Sequence, residues 1–166
     1  DKDKINILDH GCGGARSLLF LSFMGYKNLW GVDINFINKF EEEELSLEKI
    51  NKLLNVSCGR SINEEQRILK YDGSNLPFVN NHFNFIYSQQ VIEHIPNKHY
   101  INYIKDEYRT LSDNGISYHQ IPHRLIPFEA HTKSWLIHYF PKHIATKLYK
   151  IFAVDIEYTT RMLFLR

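Results

Sequence analysis

The sequence predicts an α/β fold: a Rossmann-like, doubly wound, mostly parallel sheet with helices on both faces. Three observations predict it. Short apolar runs suited to buried strands recur along the chain. Longer segments of helical period alternate with them, and such alternation means crossover connections and a parallel sheet. The first apolar run ends in Asp9 and passes at once into Gly11-Cys12-Gly13-Gly14, a strand feeding a tight turn.

The elements follow in order. Residues 5–9 read as a buried strand. Residues 16–24 are apolar nearly all round and predict a buried helix on the sheet, with Gly25 as its stop. Residues 29–34 read as a second strand. Residues 36–54 predict a long helix, with Phe36, Phe40, Leu47, Ile50 and Leu54 at helical spacing and the acidic run 41–44 on a solvated face. The polar stretch 55–65 reads as a loop. A third strand is expected over 66–71, then a loop over 72–82 that holds Gly73 and Pro77. Residues 83–88 alternate as a fourth strand. Residues 98–111 predict an amphipathic helix with Ile101, Ile104, Tyr108 and Leu111 on its inner stripe. Asp113-Asn114-Gly115 reads as a turn before a fifth strand over 116–121.

Residues 122–141 have no clean period and are rich in His, Pro and aromatics. They are expected to be a substrate loop or lid inserted in a single domain spanning 1–166. Residues 142–152 read as a helix, and 154–166 suit either strand or helix.

Bulk properties narrow the function classes. The chain has 166 residues, a formal net charge of +1, 43% hydrophobic and 23% charged residues. That suits one soluble domain, with no broad electrostatic case for a nucleic-acid partner. No apolar run reaches the length of a membrane span. Cys12 and Cys58 lack the spacing of a zinc site or disulfide framework, which favours a reducing, cytoplasmic setting. The abrupt charged start reads as an excised domain, and the final antiparallel strands are expected to be incomplete.

In a doubly wound sheet, ligands bind at the carboxyl ends of the strands, so the turn after the first strand is the first candidate site. Gly11 and Gly13 allow the backbone to approach a ligand closely. A dinucleotide fingerprint would need a third glycine where Arg16 stands, and a P-loop pattern is absent. Asp9 lies two residues before the first glycine. Asp33 closes the second strand about 20 residues further on, where a carboxylate can accept bonds from both ribose hydroxyls. Asp72 and Gly73, after the third strand, can meet an exocyclic amine and a ring nitrogen.

Asp9-His10-Gly11-Cys12-Gly13 resembles motif I of class I S-adenosylmethionine-dependent methyltransferases, written D/E-x-G-x-G-x-G. Ala15 stands where that family has its last glycine. Residues 83–95, FNFIYSQQVIEHI, are similar to motif IV of the type 11 group, with Asn84 in place of the usual Asp. Asp106-Glu107-Tyr108-Arg109-Thr110-Leu111 resembles the family's structural E-x-x-R-x-L segment. The resemblance covers about residues 5–121.

It implies S-adenosylmethionine as cofactor, held by Asp9, His10, Gly11, Cys12, Gly13, Asp33, Ile34, Asp72, Gly73, Ser88 and Gln89. It implies methyl transfer to a small-molecule acceptor through a hydroxyl, amine or carbon, the acceptor being a sugar, lipid or quinone precursor. His94, Arg124, Glu129 and Trp135 are the substrate-side candidates. His131, His123 and His119 are candidate general bases, with Glu129 placed to orient His131. Related quinone-biosynthesis enzymes bind a metal through E-x-x-E-H, but the first position here is Gln90, so no metal site is expected. Ala15 and Asn84 motivate an alternative, a catalytically silent methyltransferase-like scaffold.

Overall fold

The computed structural model describes residues 1–34, 47–62, 64–121, 126–129 and 133–152. The chain forms two compact units, one of residues 1–91 with 95–120 and one of 92–94 with 121–166.

The first unit is a five-stranded parallel sheet. Its strands are β1 (Asn6–His10), β2 (Asn28–Asp33), β3 (Ile68–Lys70), β4 (Phe83–Gln89) and β5 (Leu111–Gln120), in the order β3-β2-β1-β4-β5. Helices α1 (Arg16–Phe23), α2 (Leu47–Ser57) and α3 (Asn97–Thr110) make the crossovers. Strand order reverses at β1, which places the switch point between β1 and β4.

Successive strand residues point to opposite faces, so each strand feeds two cores. Ile7, Leu29, Ile68 and Tyr87 pack with Leu18 of α1 and with Ile50 and Leu54 of α2. Leu8, Trp30, Val32 and Ile86 pack on the other side with Leu76, and Phe78 and Leu111 close over them.

Several expectations need correction. On α1, Leu18 and Ser22 are buried while Phe20 and Phe23 are exposed, so this short helix buries one face only. The predicted helix over 36–54 begins outside the described residues, as does its acidic run. Its described part continues past Leu54 to Ser57 and stops at Gly59, which has φ +73°. Asn55, read as the start of the polar loop, turns inward from the helix instead, as does Asn51 within the predicted helix. Asn51 Oδ1 accepts from the amides of Arg67 and Ile68, and Asn55 Nδ2 donates to the carbonyls of Glu64 and Glu65. These side chains satisfy backbone groups at and before the start of β3.

On α3 the inward residues are Tyr103, Glu107 and Thr110, whereas Ile101 and Tyr108 are exposed. The helix therefore turns a polar face to the sheet. The expected turn at 113–115 is part of β5. Phe83 pairs with Leu111 but Phe85 with Ile116, so the surplus residues form a bulge against β4. Gly115 permits it, because a Cβ there would lie 2.7 Å from the Leu111 side chain.

Arg109 fixes the segment between β3 and β4. Its guanidinium donates to Asp106 Oδ1 at 2.6 Å, to the Phe78 carbonyl at 2.7 Å and to the Leu76 carbonyl at 3.0 Å. Asp106 in turn accepts from the Leu76 amide. Asn84 Oδ1 accepts from the Asn6 amide at 2.9 Å, at the amino end of the sheet. The departure from the family's Asp is thus a strand-pairing feature, remote from the carboxyl ends.

In the second unit, β6 (Phe128–Glu129) pairs antiparallel with β7 (Ser134–Trp135), and α4 (Lys142–Ile151) follows a 3-10 turn over Ile137–Tyr139. Phe128 faces Trp135 at 5.2 Å between ring centroids. His138 Nε2–H donates to the Ile126 carbonyl at 2.9 Å, and Ala145 and Tyr149 are buried. Residues 153–166 lie outside the described residues. No helix among the described residues is long and apolar enough to cross a membrane.

Candidate functional site

Three residues of the glycine turn, alternating along the chain, lie in the left-handed region: Gly11 at φ +94°, Gly13 at +50° and Ala15 at +57°. This is the physical content of D-x-G-x-G-x-G, since each motif glycine stands where a side chain is disfavoured. The turn folds over the end of β2, with the amides of Gly11 and Cys12 both donating to the Val32 carbonyl. Gly11 lies hard against β4's exit, where a Cβ would come within 2.3 Å of Val91 Cγ2. Gly31 makes a further allowance that the sequence reading left without a role. A Cβ there would meet Leu18 Cδ1 at 2.7 Å and Cys12 Sγ at 2.8 Å.

Asp33, at the end of β2, accepts from the Gly13 amide at 2.7 Å. Ile34, next to it, is 52% exposed, and a Cβ on Gly73 would lie 3.4 Å from Ile34 Cγ2. Asp72 Oδ1 accepts from the Ser74 amide at 2.8 Å, an Asx-turn that presents the exposed carboxylate beyond β3. Gln89 accepts a bond from Ser17 Oγ at 3.4 Å. Asp9, His10, Gly11, Cys12, Gly13, Asp33, Ile34, Asp72, Gly73, Ser88 and Gln89 are thereby gathered at the carboxyl ends of β1 to β4.

Not all of them turn their side chains outward. Asp9 is buried, and Tyr87 Oη donates to its Oδ2 at 2.8 Å. Burial pushes the Asp9 carboxyl up to about 7, against the lowering effect of the Tyr87 bond and with the Asp33 charge adding to the rise. Cys12 is buried beside it, and burial likewise raises its thiol.

His10 and Ser88 point to the other face, into a hydrogen-bonded network that the sequence reading missed. His10 Nδ1 lies 2.7 Å from Glu107 Oε1, and its Nε2 lies 2.7 Å from Tyr71 Oη. Tyr103 stacks on the His10 ring at 4.1 Å. His119 Nε2 lies 3.1 Å from Glu107 Oε2, and its Nδ1 lies 2.7 Å from Ser88 Oγ. Burial raises the Glu107 carboxyl, but the bonds and charges of His10 and His119 outweigh it and hold the group at about 2.

Among the acceptor-side candidates, His119 ends β5 in the first unit, while His94, Glu129 and Trp135 belong to the second. His94 and Trp135 are exposed, and Trp135 pairs with Phe128 across the small hairpin. His123, Arg124 and His131 lie outside the described residues, and so does the proposed Glu129–His131 pairing.

A parallel doubly wound sheet with a left-handed glycine turn beside an acid at the end of β2 defines a nucleotide-binding α/β domain. The sequence matches the family model described as methyltransferase domain over residues 1–156, and the chain belongs to that family. No curated protein matches it. Solved structures similar to it include an S-adenosylmethionine-dependent methyltransferase from Mesorhizobium loti, 16% identical with a TM-score of 0.48, covering 70% of this chain and 46% of that one. Another is an S-adenosylmethionine-dependent methyltransferase from Methanosarcina mazei, 25% identical with a TM-score of 0.47, covering 68% of this chain and 49% of that one. A protein from Pyrococcus horikoshii is 20% identical with a TM-score of 0.49, covering 70% of this chain and 48% of that one. The chain thus spans about half the length of these structures.

Proposed function

We propose that this chain binds S-adenosylmethionine at the carboxyl ends of β1 to β4 and transfers its methyl group to a small-molecule acceptor. The observation that carries the proposal is the left-handed run Gly11, Gly13, Ala15 locked to Asp33, in a chain of the methyltransferase domain family. The residues present fit that cofactor. A Cβ built at Gly13 or Gly14 meets nothing within 4 Å, so the loop offers an open shelf beside Asp33. Asp33 would accept from the ribose hydroxyls. Ile34 and Gly73 would flank the adenine, and Asp72 would meet its amine. When bound, the cofactor supplies a methyl already activated by its sulfonium. The chain's own part is to align the acceptor and exclude water, which can be a large effect by itself.

The motif over 83–95 supports the type 11 group within class I. Residues 122–141 serve as the substrate loop in this reading, with His94, Arg124, Glu129 and Trp135 on the acceptor side. His119, His123 and His131 are the candidate bases. The two free cysteines suit a cytoplasmic protein. Calorimetric titration of the 166-residue chain with S-adenosylmethionine tests the proposal: micromolar binding is expected, and a titration without heat at several temperatures contradicts it.

A further inference from the structure

The Glu107 network joins two residues assigned to the cofactor, His10 and Ser88, and Tyr71, the neighbour of Asp72, to one candidate base, His119. With both imidazoles neutral, the carboxylate between them sets where their protons lie. An ionised carboxylate only accepts, so His10 gives Nδ1–H to Oε1 and His119 gives Nε2–H to Oε2. The Ser117 hydroxyl donates to the same Oε2 at 3.3 Å and lies 3.0 Å from His119 Nε2. The neutral His119 then holds its lone pair at Nδ1, where the Ser88 hydroxyl donates at 2.7 Å. At the far end the Tyr71 hydroxyl donates to His10 Nε2 in the same sense.

Glu107 is buried, whereas the His119 side chain keeps 21% of its surface exposed. His119 pairs in register with Ser88, at the carboxyl ends of β5 and β4. A buried carboxylate behind a partly exposed imidazole of fixed tautomer is the arrangement of a base and its orienter.

The geometry points to Glu107 as a positioning residue that holds His119 ready to take a proton at Nδ1 from an acceptor hydroxyl or amine. This inference rests on the methyl-transfer reading above. In the step, the carbon–sulfur bond breaks with its electron pair going to sulfur, and the methyl carbon bonds to the acceptor oxygen or nitrogen. The proton that atom sheds goes to His119 Nδ1 as the Ser88 hydroxyl rotates out of its bond. Glu107 faces the imidazolium that results. The assignment selects acceptors that carry a removable proton over tertiary amines and thioethers.

Two measurements on the full chain test it. In nitrogen-15 spectra of the histidine side chains, His119 should be the Nε2–H tautomer when neutral, and Glu107→Gln should mix its tautomers. A proton on Nδ1 in the wild type, or a tautomer indifferent to Glu107→Gln, overturns the inference. Release of S-adenosylhomocysteine is then followed with a phenol, a primary alcohol, a primary amine and a tertiary amine. Turnover is expected with at least one of the first three. Glu107→Gln should lower kcat about 100-fold while leaving the KM for S-adenosylmethionine within about threefold. Turnover confined to the tertiary amine, no turnover with any of the four, or an equal loss in both constants overturns it. If Glu107→Gln does not fold, Glu107→Asp keeps the charge but withdraws it, and the same tautomer mixing is required of it. Failure of the wild type to bind S-adenosylmethionine would sink the methyl-transfer reading, whereas the tautomer result stands apart from it.

Discussion

The Gly13 amide donates to the Asp33 carboxylate at 2.7 Å, and this bond ties the glycine turn after β1 to the end of β2. It brings the two strongest sequence marks into one structure. The turn's shape and the position of the acid are therefore a single feature, and changes to either should be felt at both.

Ala15 tests the shape. It is fully buried, and its φ of +57° is one that an L side chain adopts at a cost. Ala15→Gly removes that cost while loosening the unfolded chain, for a net stabilisation of about 0.5–1 kcal/mol. Thermal unfolding should show a rise of about 2 °C. A lower melting temperature would mean that the methyl group's packing outweighs the backbone strain.

Gly31 tests the packing under the turn. A Cβ there would press on both Leu18 and Cys12, at 2.7 and 2.8 Å. Gly31→Ala should destabilise by about 1–3 kcal/mol, since two buried neighbours must shift to admit the methyl group. Urea unfolding measures this directly, and an unchanged midpoint would show that the interface yields.

How much of this was legible in advance depends on what a residue's neighbours do. The glycine turn, Asp33 and the order of strands could be read because they are local: an acid, two glycines and apolar runs carry their meaning within a few residues. The inward face of α3 could not. Its apolar residues Ile101 and Tyr108 point outward, and Glu107 points in because His10 and His119 come from strands far apart in sequence to meet it. Asn55 misled for the same reason, since its partners are backbone groups about ten residues away. Polarity marks a loop only when nothing inside needs those donors and acceptors.

Asp9 gives a pH test. Its folded pKa, about 7, lies above the ordinary value of 3.8 that the unfolded chain has. A raised carboxyl contributes stability that is fully present below the unfolded value and is lost as pH rises through the folded one. Asp9→Asn keeps an acceptor for the Tyr87 hydroxyl and removes the charge. The wild type should therefore lose melting temperature between pH 5 and pH 8.5 relative to Asp9→Asn. Parallel curves for the two proteins would show that Asp9 does not carry the effect.

The central claim is that S-adenosylmethionine sits at the carboxyl ends of the strands, on the turn that Asp33 holds. Amide chemical-shift mapping of the full chain with S-adenosylhomocysteine, the demethylated product, tests it most directly. The predicted result is a set of shifts concentrated at Gly11, Gly13, Ile34, Gly73 and Gln89, with Asn28, His82 and Asn84 at the amino ends unmoved, and loss of those shifts in Asp33→Ala. Shifts confined to the amino ends, or no shifts at millimolar ligand, would contradict it.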